Sequence, residues 1–216
     1  SDVYKRQVII GPSGAGKTTL LRAIAGLQPS SGKVFCGDED VSDFSPGARA
    51  SALVADRDGL FPHLTVQENV ALAGGNAEDL QVTLTDLGLS SLARQYPGSL
   101  STGQRQMVAL ARALLRRPRW LLFDEPLAHV DPYSRLRLRG EILRIHRRIG
   151  AASLYVTHDL PEAYAIADRI ILLREGKIIQ DDYPQDLVSH PADLQTALYL
   201  GATTQAVSFT HLQATE

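Results

Sequence analysis

Short runs of apolar, often β-branched residues alternate along the chain with longer segments whose apolar residues recur every three or four positions. Residues 8–10, Val-Ile-Ile, end at Gly11 and predict a buried strand that leads into a glycine-rich turn, with a helix over 18–27. Further short strands are predicted near residues 34–35, 53–54, 120–123, 154–156 and 170–173, and further helices over 132–149 and 160–167. Strands that alternate with helices indicate an α/β fold with a largely parallel sheet, whose ligand lies at the carboxyl ends of the strands.

A helical insertion interrupts this alternation. Residues from about 64 to 115 have a mostly helical pattern, broken at Gly74-Gly75 and at Pro97-Gly98. We therefore predict one domain over residues 1–203, with a helical subdomain at about 64–117.

The two ends of the chain fit this plan poorly. Residues 1–7 are polar and patternless where a strand is expected, so strands at the amino end are expected to be truncated, and the tail at 204–216 has no clear origin. Foreign sequence and ordinary frayed ends both account for this pattern.

Composition excludes several classes of protein. The 216 residues are 44% hydrophobic and 21% charged, as in soluble globular proteins, and the apolar runs are far shorter than the ~20 residues of a membrane span. A net charge of −2 gives no general attraction to nucleic acid, and the arginine-rich stretches 135–139 and 144–148 are interpreted as a solvated helix face. The single cysteine, Cys36, cannot form an internal disulfide, which favours a reducing, cytoplasmic setting.

A phosphate-binding loop is the clearest motif. The pattern G-x-x-x-x-G-K-[ST] is satisfied between a predicted strand and a predicted helix by Gly11, Pro12, Ser13, Gly14, Ala15, Gly16, Lys17 and Thr18. Glycines let consecutive N–H groups face one concavity at the positive end of the helix, and Lys17 reaches the β and γ phosphates. The Thr18 hydroxyl suits Mg²⁺, and the adjacent Thr19 is counted with the nucleotide-binding residues.

Two adjacent carboxylates, Asp124 and Glu125, follow the apolar run at 120–123. Neighbouring residues at a strand end point in different directions, so the two acids are able to take different roles. We expect Asp124 to hold Mg²⁺ as the partner of Thr18, and Glu125 to orient or deprotonate an attacking water. A helix cap or a solvated loop would also account for such a pair, and it is the phosphate loop that favours the catalytic interpretation.

Residues 100–106, Leu-Ser-Thr-Gly-Gln-Arg-Gln, closely resemble the LSGGQ signature of ATP-binding-cassette (ABC) ATPases. Residues 127–131 resemble the D-loop of that family, residues 156–159 its switch-histidine segment, and residues 60–70 the segment after the Q-loop in importer ATPases of the iron, polyamine, sulfate and maltose type. The resemblance covers about 8–201, and five motifs in one order are far more specific than any single motif.

The signature also has an interpretation without the family. Ser101 and Gln104 form an S-x-x-Q capping box at the start of a predicted helix, which is a site for an anion but also an ordinary helix cap.

The resemblance implies a P-loop NTPase fold with the predicted sheet and inserted helical subdomain. In ABC dimers the signature serine and glycine face the γ-phosphate held by the opposite subunit, so Ser101 and Gly103 would act in trans, with Gln104 beside them. His158 corresponds to the γ-phosphate-sensing histidine, and Asp131 of the D-loop is counted with the nucleotide contacts.

Three positions depart from the family pattern. Asp56 stands where the family has the Q-loop glutamine; its carboxylate can still bind Mg²⁺, but it adds negative charge near the γ-phosphate. Thr102 replaces the first signature glycine, and a β-branched residue resists positive φ and close approach. Tyr4 is the only aromatic candidate for adenine stacking upstream of the loop, and its position is too close to Gly11 to assign it. Slow hydrolysis and looser sandwiching of ATP are expected.

Three functions remain open at this stage. The resemblance implies the ATP- and Mg²⁺-dependent ATPase subunit of an ABC importer, peripheral on the cytoplasmic face of the membrane, working as a homodimer or paired with a second ABC ATPase subunit beneath transmembrane permease subunits. A soluble ABC-type ATPase acting on DNA or ribosomes would require a coiled-coil insertion or a second cassette, and the sequence contains neither. A slow or non-catalytic nucleotide-binding cassette is favoured by Asp56 and Thr102 but opposed by the intact phosphate loop and acidic pair.

Overall fold

A computed structural model describes residues 6–55 and 59–201. Asp56, Tyr4 and the tail at 204–216 therefore lie outside the described residues. The strands are β1 (Arg6–Ile10), β2 (Phe35–Cys36), β3 (Glu39–Asp40), β4 (Ser51–Val54), β5 (Trp120–Asp124), β6 (Ala152–Val156), β7 (Arg169–Arg174) and β8 (Lys177–Asp182).

The longest helices carry the signature segment and the arginine-rich stretches. The helices are α1 (Lys17–Ile24), α2 (Val66–Ala71), α3 (Ala77–Asp86), α4 (Thr102–Leu115), α5 (Pro132–Ile149), α6 (Leu160–Ile166), α7 (Pro184–Ser189) and α8 (Leu194–Tyr199). Short 3₁₀ turns at Ser90–Leu92 and Pro97–Ser99 lie between α3 and α4. Within the described part of the chain, no helix combines the length and the apolar character that crossing a bilayer requires.

The described residues form two compact units. The terminal unit comprises residues 6–17 and 157–201, and the central unit comprises residues 18–55 and 59–156. In the terminal unit β7 is the middle strand: β1 pairs parallel to it, with Ile9 opposite Ile171, and β8 pairs antiparallel to it. Helix α6 packs against β1, whose last three residues are fully buried. The strand that leads into the glycine-rich loop is thus part of the core of this unit.

In the central unit β5 is the middle strand and pairs parallel to both β4 and β6. Leu122 lies opposite Leu53 on one side and Leu154 on the other. All residues of β5 after Trp120 are buried, which explains the near-continuous apolar sequence of this strand. Helix α4 packs against α2, α3, β4 and α5, so the signature helix is the shared support of the helical segment.

The predicted α/β class with mostly parallel strand pairing and a helical insertion is confirmed, and α5 has the predicted bounds. The strand predicted at residues 8–10 begins two residues earlier, because Arg6 and Gln7 also belong to β1. The reason is a distant partner: the Arg6 backbone N–H donates to the Asp168 carboxylate at 3.0 Å, and the Arg6 Nε donates to it at 3.1 Å. The domain boundary at 203 and the subdomain limits at 64–117 stay predictions.

The carboxyl end of α1 is held by one buried side chain. Arg49 is 5% exposed. Its guanidinium donates to the carbonyl oxygens of Ala23 at 2.9 Å and Ile24 at 2.7 Å, which are among the last carbonyls of α1, and to those of Ser42 at 2.6 Å and Phe44 at 3.1 Å. A cation at this end of a helix also opposes the negative end of its dipole.

We expect Arg49→Met to lower the free energy of unfolding by about 2–4 kcal/mol, because it leaves four part-buried carbonyl groups without this donor. Urea denaturation followed by circular dichroism measures this change. Arg116→Met is the matched control, since Arg116 is exposed, and it should cost less than about 0.5 kcal/mol. Equal losses in the two variants would show that the guanidinium does not hold α1.

Candidate functional site

The glycine-rich loop leaves β1 at Ile10 and ends where α1 begins, at Lys17. Its glycines take positive φ angles, 151° at Gly11, 79° at Gly14 and 97° at Gly16, which side chains rarely tolerate. At Gly11 the close approach is to backbone, because a Cβ atom there would lie 2.0 Å from the carbonyl oxygen of Leu173. The glycine spacing in the sequence therefore reflects a real steric requirement.

The lysine of the loop lies over the loop backbone. Lys17 is 6% exposed, and its Nζ donates to the carbonyl oxygens of Gly11 at 2.8 Å and Pro12 at 3.0 Å. Ser13 and Gly14 at the tip of the loop are exposed, whereas Ala15 is buried. The tip of the loop is thus exposed, while the Lys17 ammonium group is held against carbonyl oxygens of the loop backbone.

Two residues predicted to share a metal ion meet in the central unit. The Thr18 hydroxyl donates to Oδ1 of Asp124 at 2.8 Å. Asp124 is the last residue of β5 and is 4% exposed, whereas the neighbouring Thr19 is exposed. Among the described residues no group of three or more histidine, cysteine, aspartate or glutamate side chains is arranged to hold a metal ion. A hydroxyl beside one carboxylate suits Mg²⁺, which takes few protein ligands and fills its other positions with water and phosphate oxygens.

Glu125 has an unusual backbone conformation. Its φ is 48°, in the left-handed region that residues with a side chain seldom occupy. Its N–H donates to the Val156 carbonyl at 3.0 Å, which keeps the residue attached to the end of β6 while β5 has already ended at Asp124. The backbone thus changes from extended at Asp124 to left-handed at Glu125. That the two acids take different roles stays a prediction.

The signature segment is a capped helix start. Ser101 precedes α4, its Oγ accepts the Gln104 N–H at 3.2 Å, and its own N–H donates to the Gln104 side chain at 2.8 Å, so the predicted capping box is confirmed. Ser101 is exposed, and because Oγ acts as the acceptor in the cap, the hydroxyl keeps its hydrogen for an outside acceptor. Gly103 is buried, and a Cβ there would touch Ser134 and Leu138 of α5 at 3.4–3.6 Å.

Thr102 does not meet the obstacle expected from its branched side chain. It is the first residue of α4 and is absent from the residues with positive φ in the described chain, so a glycine conformation is not required there. Its hydroxyl accepts from the Arg105 guanidinium at 3.1 Å, and the same guanidinium donates to the Leu100 carbonyl at 2.8 Å. The conformational objection to Thr102 is therefore wrong.

The switch-histidine segment is fixed by a buried carboxylate that sequence reasoning missed. Glu162 is 5% exposed and accepts the Thr157 hydroxyl at 2.7 Å. Thr157 also donates its N–H to the Ile9 carbonyl of β1 at 3.2 Å, and Asp159 caps α6 by accepting the Glu162 N–H at 2.9 Å. His158 lies between these anchored residues and is exposed. The D-x-x-E spacing of Asp159 and Glu162 was the available signal.

Asp131 of the D-loop is the N-cap of α5. Its Oδ1 accepts the Ser134 N–H at 3.0 Å, and hydrogen bonding from Ser134 lowers the pKa of this carboxyl below its ordinary value. The neighbouring His129 is exposed. Whether Asp131 also contacts nucleotide stays a prediction.

The predicted metal ligand Asp56 lies outside the described residues, but both flanks of its segment contact the signature helix. Gln106 of α4 donates to the Ala55 carbonyl at 3.2 Å, and Arg112 of α4 donates to the Gly59 carbonyl at 2.9 Å. Gln106 belongs to the signature-like segment, but neither its contact nor that of Arg112 was predicted, because only the folded chain brings these side chains to the two carbonyls.

Comparison with known proteins agrees with this arrangement. The family described as "ABC transporter" matches residues 4–128. The chain is 42% identical over 90% of its length to the sn-glycerol-3-phosphate import ATP-binding protein UgpC of Roseobacter denitrificans, and 43% identical over 91% to the Fe(3+) ions import ATP-binding protein FbpC 2 of Rhizobium meliloti. It is 41% identical over 90% of its length to the maltose/maltodextrin import ATP-binding protein MalK of Salmonella typhimurium.

The chain spans about half the length of these relatives, 57%, 52% and 55% respectively. Among solved structures, it is similar to the ATP-binding cassette MJ0796, in a dimeric post-hydrolysis state bound to ADP and Pi. That similarity has a TM-score of 0.72 and 29% sequence identity, and covers 83% of this chain and 85% of the other.

Because Glu125 has a left-handed conformation, we expect glycine at this position to give a more stable protein than alanine, the reverse of their usual order. Glu125→Gly should unfold with a free energy about 1 kcal/mol higher than Glu125→Ala, because alanine retains the Cβ atom that opposes positive φ. The same pair of substitutions at Glu141, in the interior of α5, should give the opposite order by about 1 kcal/mol. Urea denaturation of the four variants tests this, and alanine being the more stable residue at both positions would contradict it.

Proposed function

This chain belongs to the ABC transporter family, and on that premise we propose that it is the ATP-binding and ATP-hydrolysing subunit of an ABC importer. The relatives named above are called import ATP-binding proteins, and this chain aligns with them over about nine-tenths of its own length. They include proteins named for glycerol phosphate, iron and maltose, so the proposal concerns the ATPase and leaves the cargo open.

The observation that carries this proposal is the hydrogen bond between Thr18 and Asp124. It joins the residue that follows the loop lysine to the buried carboxylate at the end of β5, which is the pair expected to hold Mg²⁺ beside bound phosphates. Mg²⁺ bound there would neutralise charge on the β and γ phosphates. Lys17 precedes Thr18 directly, so the phosphate-binding and metal-binding groups are consecutive residues of one motif.

Hydrolysis requires a water that attacks the γ-phosphorus as the bond to the ADP oxygen breaks. Glu125 accepts a proton from this water, and the products are ADP and inorganic phosphate. His158 donates a hydrogen bond to the γ-phosphate. Its segment is attached to β1 through Thr157 and Ile9, and Ile9 lies two residues before Gly11 in the sequence, which supports a role for His158 near the phosphate loop.

A second copy completes the site. Ser101 is exposed at the positive end of α4 and keeps a hydroxyl hydrogen, which suits the binding of an anion. The γ-phosphate held by a partner subunit is that anion, in a homodimer or a pair with a related cassette. The similarity to a cassette solved as a dimer with ADP and Pi supports this arrangement. Closure of the pair on ATP and reopening after hydrolysis would drive permease subunits in the membrane, with this chain on the cytoplasmic face.

Hydrolysis is favoured over a purely nucleotide-binding role. The helical conformation of Thr102 removes the positive-φ part of the objection to this residue, whereas its effect on the close approach of nucleotide stays a prediction. Asp56 as a metal ligand and as a brake on turnover stays a prediction, and Asp56→Gln is the variant that tests it.

The proposed reaction predicts that Glu125→Gln lowers kcat for Mg²⁺-dependent ATP hydrolysis by about 10²–10⁴-fold while ATP still binds, because the amide cannot accept the proton. The variant should also accumulate as an ATP-bound dimer in size-exclusion chromatography. Glu141→Gln, a surface substitution on α5, is the control and should retain the wild-type rate.

A wild-type chain that binds MgATP and dimerises without turnover would contradict the enzymatic proposal. A Glu125→Gln variant that hydrolyses ATP at the wild-type rate would remove Glu125 from the mechanism.

A further inference from the structure

The first glycine of the phosphate loop is bound by a tyrosine from the far end of the described chain. The Gly11 N–H donates to the hydroxyl oxygen of Tyr199 at 3.1 Å, across 188 positions of sequence. Gly11 is buried, so its N–H cannot readily exchange this acceptor for water, and losing the tyrosine hydroxyl would cost free energy. The contact lies wholly within the terminal unit.

Helix α8, which ends at Tyr199, is fixed at its other end to the strand next to the loop. Asp193 caps α8 by accepting the Thr196 N–H at 2.7 Å. The same carboxylate is bound by the guanidinium of Arg174, the last residue of β7, at 3.2 Å through Nη1. Hydrogen bonding from Arg174 and Thr196 lowers the pKa of Asp193 far below its ordinary value, so the carboxylate stays ionised at neutral pH. Tyr199 is therefore carried by a short helix that is fixed at both ends.

The loop is in contact with the β7 to β8 hairpin as well. The Gly176 N–H, in the turn of this hairpin, donates to the Ala15 carbonyl at 3.0 Å. Leu173 of β7 lies so close to Gly11 that no side chain fits between them. The hairpin and α8 therefore both contact the loop within the terminal unit.

Both backbone polar groups of Gly11 are thus bound by side chains: Tyr199 accepts from its N–H, and Lys17 donates to its carbonyl. If Lys17 donates to bound phosphates, as the proposed function requires, its contact with the Gly11 carbonyl weakens. Tyr199 binds the other polar group of Gly11, its N–H, so this contact does not compete with a phosphate.

We propose that Tyr199 is a positioning residue for nucleotide binding, whose hydroxyl fixes Gly11 and so keeps the phosphate loop in its binding conformation. The proposal rests on the proposed function, because it requires phosphates to bind at this loop. Without the hydroxyl, the free loop relaxes so that the Gly11 N–H reaches another acceptor, and binding must reverse that relaxation.

The test compares two tyrosine-to-phenylalanine variants in the full chain. Tyr199→Phe removes the acceptor for Gly11. Tyr164→Phe is the matched control, because the Tyr164 hydroxyl in α6 is buried and has no hydrogen-bond partner among the described residues. Affinities for MgATP and for inorganic tripolyphosphate are measured by calorimetry, kcat is measured at saturating ATP, and hydrogen exchange is measured at the Gly11 amide.

We expect Tyr199→Phe to weaken the binding of both ligands by about tenfold, the usual scale for one lost hydrogen bond, with kcat at saturation little changed. Exchange at the Gly11 amide should become faster. Tyr164→Phe should leave both affinities and the exchange rate as in the wild type.

Each other outcome overturns the proposal in an identifiable way. A wild-type chain that binds neither ligand removes the proposed function and this proposal together, whereas normal binding in the wild type and in Tyr199→Phe removes the proposal alone. A loss for MgATP but not for tripolyphosphate would show that Tyr199 contacts the nucleoside and does not act through the loop. Equal losses in the two variants, or unchanged exchange at Gly11, would show a general effect of core substitution.

Discussion

The hydrogen bond from the Thr18 hydroxyl to the Asp124 carboxylate is the contact on which the candidate site depends. It joins two segments 106 positions apart, one at the start of α1 and one at the end of β5. A carboxylate that is 4% exposed is costly unless it is bound by donors or by a cation. The Thr18 hydroxyl is one such donor, and under the proposed function Mg²⁺ would bind to the same pair of residues.

Capped helix starts supply much of the remaining chemistry. Ser101, Asp131 and Asp159 each precede a helix and accept the N–H of the residue three positions later, at 3.2, 3.0 and 2.9 Å. A cap fixes the backbone at the first turn and leaves the positive end of the helix accessible. The signature segment, the D-loop segment and the switch segment thus contain helix starts whose backbone geometry is set locally. Ser101, which is such a cap, and His158, which precedes the cap Asp159, are exposed.

Local signals in the sequence were sufficient for these elements. The phosphate loop, the capping box at Ser101 and the bounds of α5, with proline at its first position and Gly150 at its end, all follow from residues a few positions apart. Contacts over long distances were not accessible in the same way. Tyr199 accepts a hydrogen bond from Gly11, 188 positions earlier, and Arg49 donates to Ala23 of α1, 26 positions earlier. No residue close in sequence to Tyr199 or Arg49 indicates these partners.

Two expectations changed because a side chain was considered without its neighbours. The strand predicted at residues 8–10 begins two residues earlier, because Asp168 provides the partner that lets Arg6 start β1. Thr102 was expected to oppose a glycine-like conformation, yet the helix begins at that residue and requires none.

The central claim is that Thr18 and Asp124 act as one unit toward metal-bound nucleotide. A double-mutant cycle with Thr18→Ala, Asp124→Asn and the double variant, measured as ATP affinity by calorimetry with and without Mg²⁺, tests it most directly. The account predicts that with Mg²⁺ the double variant loses no more affinity than the worse single variant, a coupling of about 1–2 kcal/mol, and that without Mg²⁺ the coupling disappears. Losses of ATP affinity that are additive in the presence of Mg²⁺, or a coupling energy that is the same with and without Mg²⁺, would contradict the account.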